Sequence, residues 1–215
     1  MKNIVLIGPP GSGKGTLSKK LQNVGYLQIS TGDLLREEIA SGSELGKKIA
    51  EKIDNGFMVE DHVSLAVMKK AMKTANQGSI FDGYPRNLKQ AELLELHLHE
   101  GDPQNLIILF LNIEPSKIIE RIIYRTTCGN CGEILNFKFK QPLCQNDKNS
   151  CPACHSENLI KRNDDNKESL ENRLKTYFEK TYPVVKYYSS FKNFYEINAD
   201  DSEENIWLKV SQIIN

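Results

Sequence analysis

Apolar residues fall along this chain in two alternating kinds of run. Short, almost unbroken apolar stretches occupy residues 3–7, 26–30, 79–81, 106–112 and 194–198. Each reads as a strand buried on both faces, residues 106–112 (LIILFLN) most strongly. Between them lie segments with apolar positions three and four apart, the spacing of a helix face. These are residues 14–24, 33 to about 76 with Gly42, Gly46 and Gly56 as breaks, 88–97, 114–124, 169–190 with an interruption at Pro183, and 202–214. Pro115 stands early in its helix, where a missing N–H costs nothing, and Ser202 is placed to cap the last one. Strands that are apolar throughout, alternating with helices, predict an α/β fold whose parallel sheet is covered on both faces.

The pattern fails between Thr126 and Asn163, where Cys, Gly, Pro and Asn dominate and no period survives. That block reads as an insertion with a stabilising device of its own. Two CxxC pairs supply one: Cys128-x-x-Cys131 and Cys151-x-x-Cys154, 19 residues apart, within about one residue of the usual four-cysteine zinc spacing. Two such knuckles close a tetrahedral site with no open position, so the metal is expected to be structural. Neither CxxC opens a helix after a strand, which argues against a redox pair. Cys144 is left over, and His155 is the one other ligand type nearby.

Charge narrows the function. The 215 residues carry 28 Lys+Arg against 28 Asp+Glu, so blanket attraction to a polyanion is excluded and nucleic acid and membrane are not expected partners. No apolar run is long enough to span a bilayer, and the apolar start ends in a Gly-Pro-Pro turn too soon for a signal peptide. A cytoplasmic location with reduced cysteines is expected. Of the bases only six are arginines. The histidines His62, His97 and His99 fall on helical faces and read as surface residues.

Gly8-Pro9-Pro10-Gly11-Ser12-Gly13-Lys14-Gly15-Thr16 matches G-x-x-x-x-G-K between a strand and a helix. Glycines let backbone N–H groups wrap phosphate oxygens, the helix start adds its positive dipole end, and Lys14 supplies a point charge. The loop implies a nucleoside triphosphate without separating a kinase from an ATPase or GTPase.

Further segments make that separation: Ser30-Thr31-Gly32-Asp33-Leu34-Leu35-Arg36; Asp82-Gly83-Tyr84-Pro85-Arg86 with Gln90; Arg121 and Arg125 on one helix face; and Arg162-Asn163-Asp164-Asp165 followed by Arg173. Together with the phosphate loop they resemble adenylate kinase, the ATP:AMP phosphotransferase, in its long-lid form with a zinc-binding lid. The resemblance implies a P-loop nucleoside monophosphate kinase fold with a five-stranded parallel sheet. The core would comprise residues 1–30, 61–125 and 164–215, the helical AMP-binding segment 31–60 and the zinc-binding lid 126–163.

It also implies residue roles. Gly11, Ser12, Gly13, Lys14, Gly15 and Thr16 would hold the ATP phosphates, with Arg125 reaching the same side. Arg121, Ile134, Leu135 and Asp201 would border the adenine of ATP. Thr31, Arg36, Phe57, Met58, Val59, Gly83, Tyr84, Pro85, Arg86 and Gln90 would form the AMP site, and Arg162 and Arg173 would close over the transferring group. Asp82 would organise Mg²⁺ through its water shell, and Asp164 and Asp165 would help latch the lid. The catalytic set is then Lys14, Asp82, Arg86, Arg125, Arg162 and Arg173, with Zn²⁺ on Cys128, Cys131, Cys151 and Cys154. The expected reaction is ATP + AMP ⇌ 2 ADP in a monomer. The family pattern has Tyr-His where this chain reads Leu135-Asn136, so the ring contact of His is lost. Relatives that use UMP or CMP have a short lid and Ala in place of Thr31; a GTP donor is the other variant of the reaction. A third reading, zinc knuckles on nucleic acid, would use Phe137 and Phe139 among Lys138, Lys140, Lys148 and Lys161, but Glu133, Asp147 and Glu157 interrupt any basic stripe.

Overall fold

The computed structural model describes residues 1–72, 78–98, 106–136 and 150–214. His99, Cys144 and the lid residues Phe137, Lys138, Phe139, Lys140, Asp147 and Lys148 lie outside them. Five parallel strands make the main sheet: β1 (Asn3–Ile7), β2 (Leu27–Ser30), β3 (Ser79–Asp82), β4 (Leu106–Asn112) and, last in the chain, β8 (Phe194–Asn198). Their spatial order is β2-β3-β1-β4-β8, and every pairing is parallel, as the apolar runs predicted.

Alternation along the strands explains why those runs are continuous. Ile4 and Leu6 face one cluster with Leu17, Leu21, Ile107, Leu109, Ile118 and Val210. Val5 and Ile7 face the other, with Met68, Phe81, Leu94, Ile108 and Tyr188. Each fully buried aliphatic side chain contributes roughly 1.5–3 kcal/mol, so neither face can be polar without losing its layer. The covering helices are α1 (Lys14–Gln22), α5 (Leu88–Leu98), α6 (Pro115–Ile123), α7 (Lys167–Thr176), α8 (Tyr182–Tyr188) and α9 (Glu203–Ile214). Ser202 Oγ accepts the Asn205 N–H at 3.2 Å, the cap expected for α9.

The long helical stretch after β2 divides into α2 (Thr31–Ala40), α3 (Glu44–Asp54) and α4 (Asp61–Met72). Ser30 and Ser43 cap the first two through Oγ, accepting from Asp33 and Gly46. Leu35, Ile49, Val59 and Val63 form a small core for this segment. Gly42 and Gly56 lie at breaks, but Gly46 does not: it sits inside α3. A Cβ there would stand 2.4 Å from Glu38 O, so glycine serves the close approach of α2 and α3. The interruption expected at Pro183 also lies elsewhere. A π-helical turn (Tyr177–Thr181) precedes the proline, with the Tyr182 N–H bonded to Tyr177 O, and Pro183 falls in the first turn of α8.

The aperiodic block contains an antiparallel sheet of β5 (Arg125–Cys128), β6 (Ile134–Asn136) and β7 (Leu159–Ile160), with β5 central. Among the described residues its core consists of Cys128, Leu135 and Cys151, backed by Cys154 and Leu159. No helix of the described residues is long and apolar enough to cross a membrane.

Candidate active site

A cavity of about 1040 Å³ opens at the C-terminal ends of β1, β2 and β3, and the inserted sheet overhangs it. The phosphate loop follows β1. Gly13 caps α1 with φ 93°, a conformation that disfavours any residue with a Cβ. The Lys14 ammonium folds back to donate to Gly8 O at 2.7 Å and Pro9 O at 3.0 Å, bracing the loop around the space for phosphate.

All six arginines line this cavity; among the described lysines, Lys14, Lys19, Lys20 and Lys117 do. The arginines are gathered from α2, the turn after β3, α6, β5, the segment after β7 and α7; Arg125 opens β5 and does not share a helix face with Arg121, because α6 ends at Ile123. Acids fix several of them. Arg36 donates to Asp33 at 2.6 Å, one turn away on α2. Arg125 forks onto the fully buried Asp165, its Nε at 2.8 Å from Oδ2 and its Nη2 on Oδ1. Arg173 donates to Asp164 at 2.9 Å and lies 3.6 Å from Asp165. The two aspartates expected to latch the lid thus brace Arg125, at the base of the inserted sheet, and Arg173 on α7. Arg86 Nε donates to Gly83 O at 2.8 Å, and Arg121 Nη2 donates to Ala199 O at 2.9 Å with Asp200 at 3.9 Å.

Crowded cations perturb one another. Burial, opposed by Asp82 and reinforced by Arg86, Arg173 and Arg125, pulls the Lys14 ammonium down to about 8. Burial, together with Arg36 and Arg125, lowers the Arg162 guanidinium to about 10. Arg86 and Arg173 are lowered for the same first reason. Burial lifts the Asp82 carboxyl above its usual range although Lys14 opposes the shift. Burial works against the Asp33 carboxylate too, but there Arg36 prevails and holds it low. Such a site repels itself until an anion with several negative oxygens enters.

The residues expected around the donor line the cavity from the phosphate loop to Arg121, Arg125, Ile134, Leu135 and Asp201. Asn136, at the position of the missing His, donates to Arg121 O at 3.1 Å and so pins the inserted sheet to α6. Lys19 Nζ reaches Glu133 at 3.0 Å and Cys131 O at 3.2 Å, tying that sheet to α1. Of the residues expected around the acceptor, Thr31, Arg36, Phe57, Met58, Val59, Gly83, Pro85, Arg86 and Gln90 line the same cavity, as do Arg162 and Arg173. Tyr84 is a correction: it is 2 % exposed, packs into the second core cluster and does not line the cavity. Its two neighbours face the cavity, and the ring between them turns to the apolar side. His62, His97 and His155 are exposed.

Gln28 was missed by the sequence reading. It reaches from β2 to donate to Asp82 Oδ2 at 3.2 Å, holding the carboxylate expected to face Mg²⁺. The only signal is its two-residue offset from Ser30, which pairs with Asp82 across the sheet.

The four cysteines meet in the inserted sheet, all four Sγ atoms within 4.8 Å of one another. The Cys128–Cys154 and Cys131–Cys151 sulfurs are 3.5 and 3.6 Å apart. Metal–sulfur bonds of about 2.3 Å in a tetrahedron require edges of about 3.8 Å. The Cys131 N–H helps hold the Cys128 thiol down to about 6, whereas the neighbouring Cys154, Cys151 and Cys128 sulfurs push the Cys131 thiol up. These four residues could hold a metal ion.

The family model described as Adenylate kinase matches residues 6–193. An adenylate kinase of Paracoccus denitrificans (strain Pd 1222) is 36% identical over 214 residues, covering 99% of this chain and 97% of that protein. One of Elusimicrobium minutum (strain Pei191) is 38% identical over 214 residues, covering 99% and 98%. One of Nitrosococcus oceani is 39% identical over 215 residues, covering 98% and 97%. A likeness that runs through the phosphate loop, all three arginine-bearing helices and the cysteine knuckles is more than a shared motif: the chain belongs to the adenylate kinase family.

Proposed function

We propose that the protein is an adenylate kinase that transfers the γ-phosphoryl group of MgATP directly to AMP, giving two ADP. One observation carries the reading: Lys14 and all six arginines converge on a single cavity of about 1040 Å³, above the range of roughly 300–1,000 Å³ typical of one-ligand pockets. Phosphoryl transfer asks little covalent work of the protein. It needs in-line alignment, exclusion of water and positive charge where three oxygens share developing negative charge.

On this reading the phosphate loop and Lys14 bind the donor phosphates, and Arg121 with Ile134 and Leu135 borders its base. Thr31, Arg36, Met58, Val59, Arg86 and Gln90 bind AMP. Arg125, Arg162 and Arg173 stabilise the group in transfer, their planar forks matching its oxygens. The half-buried Asp82 beside Lys14 would hold the water shell of Mg²⁺, which neutralises phosphate charge when bound. Zn²⁺ on the four cysteines would stabilise the lid without touching the reaction. Residues 126–163 as lid and 31–60 as AMP-binding segment would close over the core and keep water from the phosphoryl group. A cytoplasmic monomer is proposed, where thiolates stay reduced; zero net charge supports the absence of a nucleic-acid partner.

The test is a coupled assay of purified protein with MgATP and a panel of nucleoside monophosphates, then with AMP and a panel of triphosphates. ADP formation from ATP and AMP is expected to exceed all other pairs. No ADP from that pair sinks the proposal; faster turnover with UMP, CMP or GTP replaces it with the corresponding kinase.

A further inference from the structure

Gln90 is 1 % exposed and lines the acceptor end of the cavity. Its amide is gripped from two sides. Oε1 accepts the Arg86 backbone N–H at 2.8 Å, and Nε2 donates to Asp61 Oδ1 at 2.6 Å. The same Asp61 oxygen accepts from Asn87 Nδ2 at 2.8 Å, and Asn87 Oδ1 accepts the Gln90 backbone N–H at 2.8 Å. Asp61, the first residue of α4, does not itself line the cavity.

The partners dictate the orientation of the amide. A carboxylate only accepts and a backbone N–H only donates. Turning the amide over would set N–H against N–H at Arg86 and oxygen against oxygen at Asp61. One N–H and one lone pair of the fixed amide are left for a ligand. That pair complements the edge of a 6-aminopurine, which presents an amino donor beside a ring-nitrogen acceptor, and glutamine pairs bidentately with adenine for this reason. A 6-oxopurine presents the opposite order and needs the opposite amide.

We propose that Asp61 is a positioning residue for the acceptor base: it locks the Gln90 amide so that the site takes a 6-aminopurine monophosphate and rejects a 6-oxopurine one. The inference rests on the placement of Gln90 in the AMP site and adds the element that gives Gln90 its discrimination. Asn87 braces the lock from the turn before α5.

The experiment compares Asp61→Ala, which removes the acceptor, and Asp61→Ser, which shortens it, with the unaltered protein. KM and kcat are measured for AMP and IMP at saturating MgATP, then KM for ATP at saturating AMP. The unaltered protein is expected to favour AMP over IMP in kcat/KM by about 100-fold or more, because a mismatched base leaves buried polar groups unpaired. In the variants this preference should fall about tenfold, with KM rising for AMP, falling for IMP and unchanged for ATP. A merely loosened fold would raise both acceptor KM values together, and an unchanged AMP-to-IMP ratio overturns the proposal. Should neither variant fold, equilibrium binding to the unaltered protein decides: IMP bound within about threefold of AMP overturns the lock. Gln90→Ala separates the two layers of argument. If it leaves KM for AMP unchanged, the acceptor site itself is misplaced. If it raises KM while Asp61→Ala leaves the ratio intact, the role of Asp61 alone is rejected.

Discussion

Asp165→Asn is the most informative single perturbation of this site. The Asp165 carboxylate has no solvent exposure and accepts both Nε and Nη2 of Arg125, with Arg173 Nη1 at 3.6 Å. Its backbone N–H is engaged separately with Arg162 O, so the substitution leaves the main chain in place. Asparagine keeps the shape but carries no charge, and its NH₂ turns a donor toward a guanidinium that only donates. Two cations would then face each other with only Asp164 between the core and the inserted sheet. Removing one partner of a buried ion pair costs about 3–5 kcal/mol, because the other charge stays buried and uncompensated. At roughly 2–4 °C per kcal/mol for a chain of this length, the melting point should fall by about 6–20 °C. Urea denaturation followed by Trp207, the single tryptophan, gives the free energy directly, and an unchanged slope will show that only stability moved. Adding Arg125→Met to Asp165→Asn should recover part of the loss, since it removes the stranded charge. Turnover should fall with stability in the single variant, as Arg125 and Arg173 lose alignment. A loss below about 1 kcal/mol, the scale of an exposed pair, would refute the claim that Asp165 holds the arginines together.

Arg86→Lys keeps a positive charge but removes the fork anchored on Gly83 O, and should cut kcat by about 100-fold with the fold intact by circular dichroism; near-normal turnover would show that point charge suffices. Lys14 loses its charge near pH 8 in the unliganded protein, whereas bound triphosphate favours the charged form. ATP affinity should therefore be flat up to about pH 8 and weaken toward tenfold per pH unit above it, with proton uptake visible as a buffer-dependent calorimetric enthalpy; constant affinity to pH 9.5 contradicts this. Stripping metal from the four cysteines with a chelator should lower the melting temperature while ATP still binds at Lys14. Loss of ATP binding on chelation would mean that the metal does more than hold the inserted sheet.

Much of this protein is legible in its sequence, for identifiable reasons. The strands show because burial on both faces demands unbroken apolar runs, and the phosphate loop shows because its chemistry is local. The cysteine knuckles show because tetrahedral geometry constrains short spacings. The arginines stand out as an inward set because lysine serves the surface, and the Asp33–Arg36 pair is readable as neighbours one helical turn apart. What stays hidden joins residues far apart in the chain or turns on which way one side chain faces. Gln28 meets Asp82 only because β2 lies beside β3, and Arg125 meets Asp165 only once the inserted sheet folds back on the core. Asp61 orients Gln90 across two helices. Gly46, Tyr84 and Pro183 were misread because a break, a site residue and a kink share their local signatures with a close helix contact, a core aromatic and a first helical turn. Periodicity and spacing thus determined which elements form and which groups carry charge. Only the tertiary packing decided which distant acid steadies which base, because that depends on distances the chain closes in space.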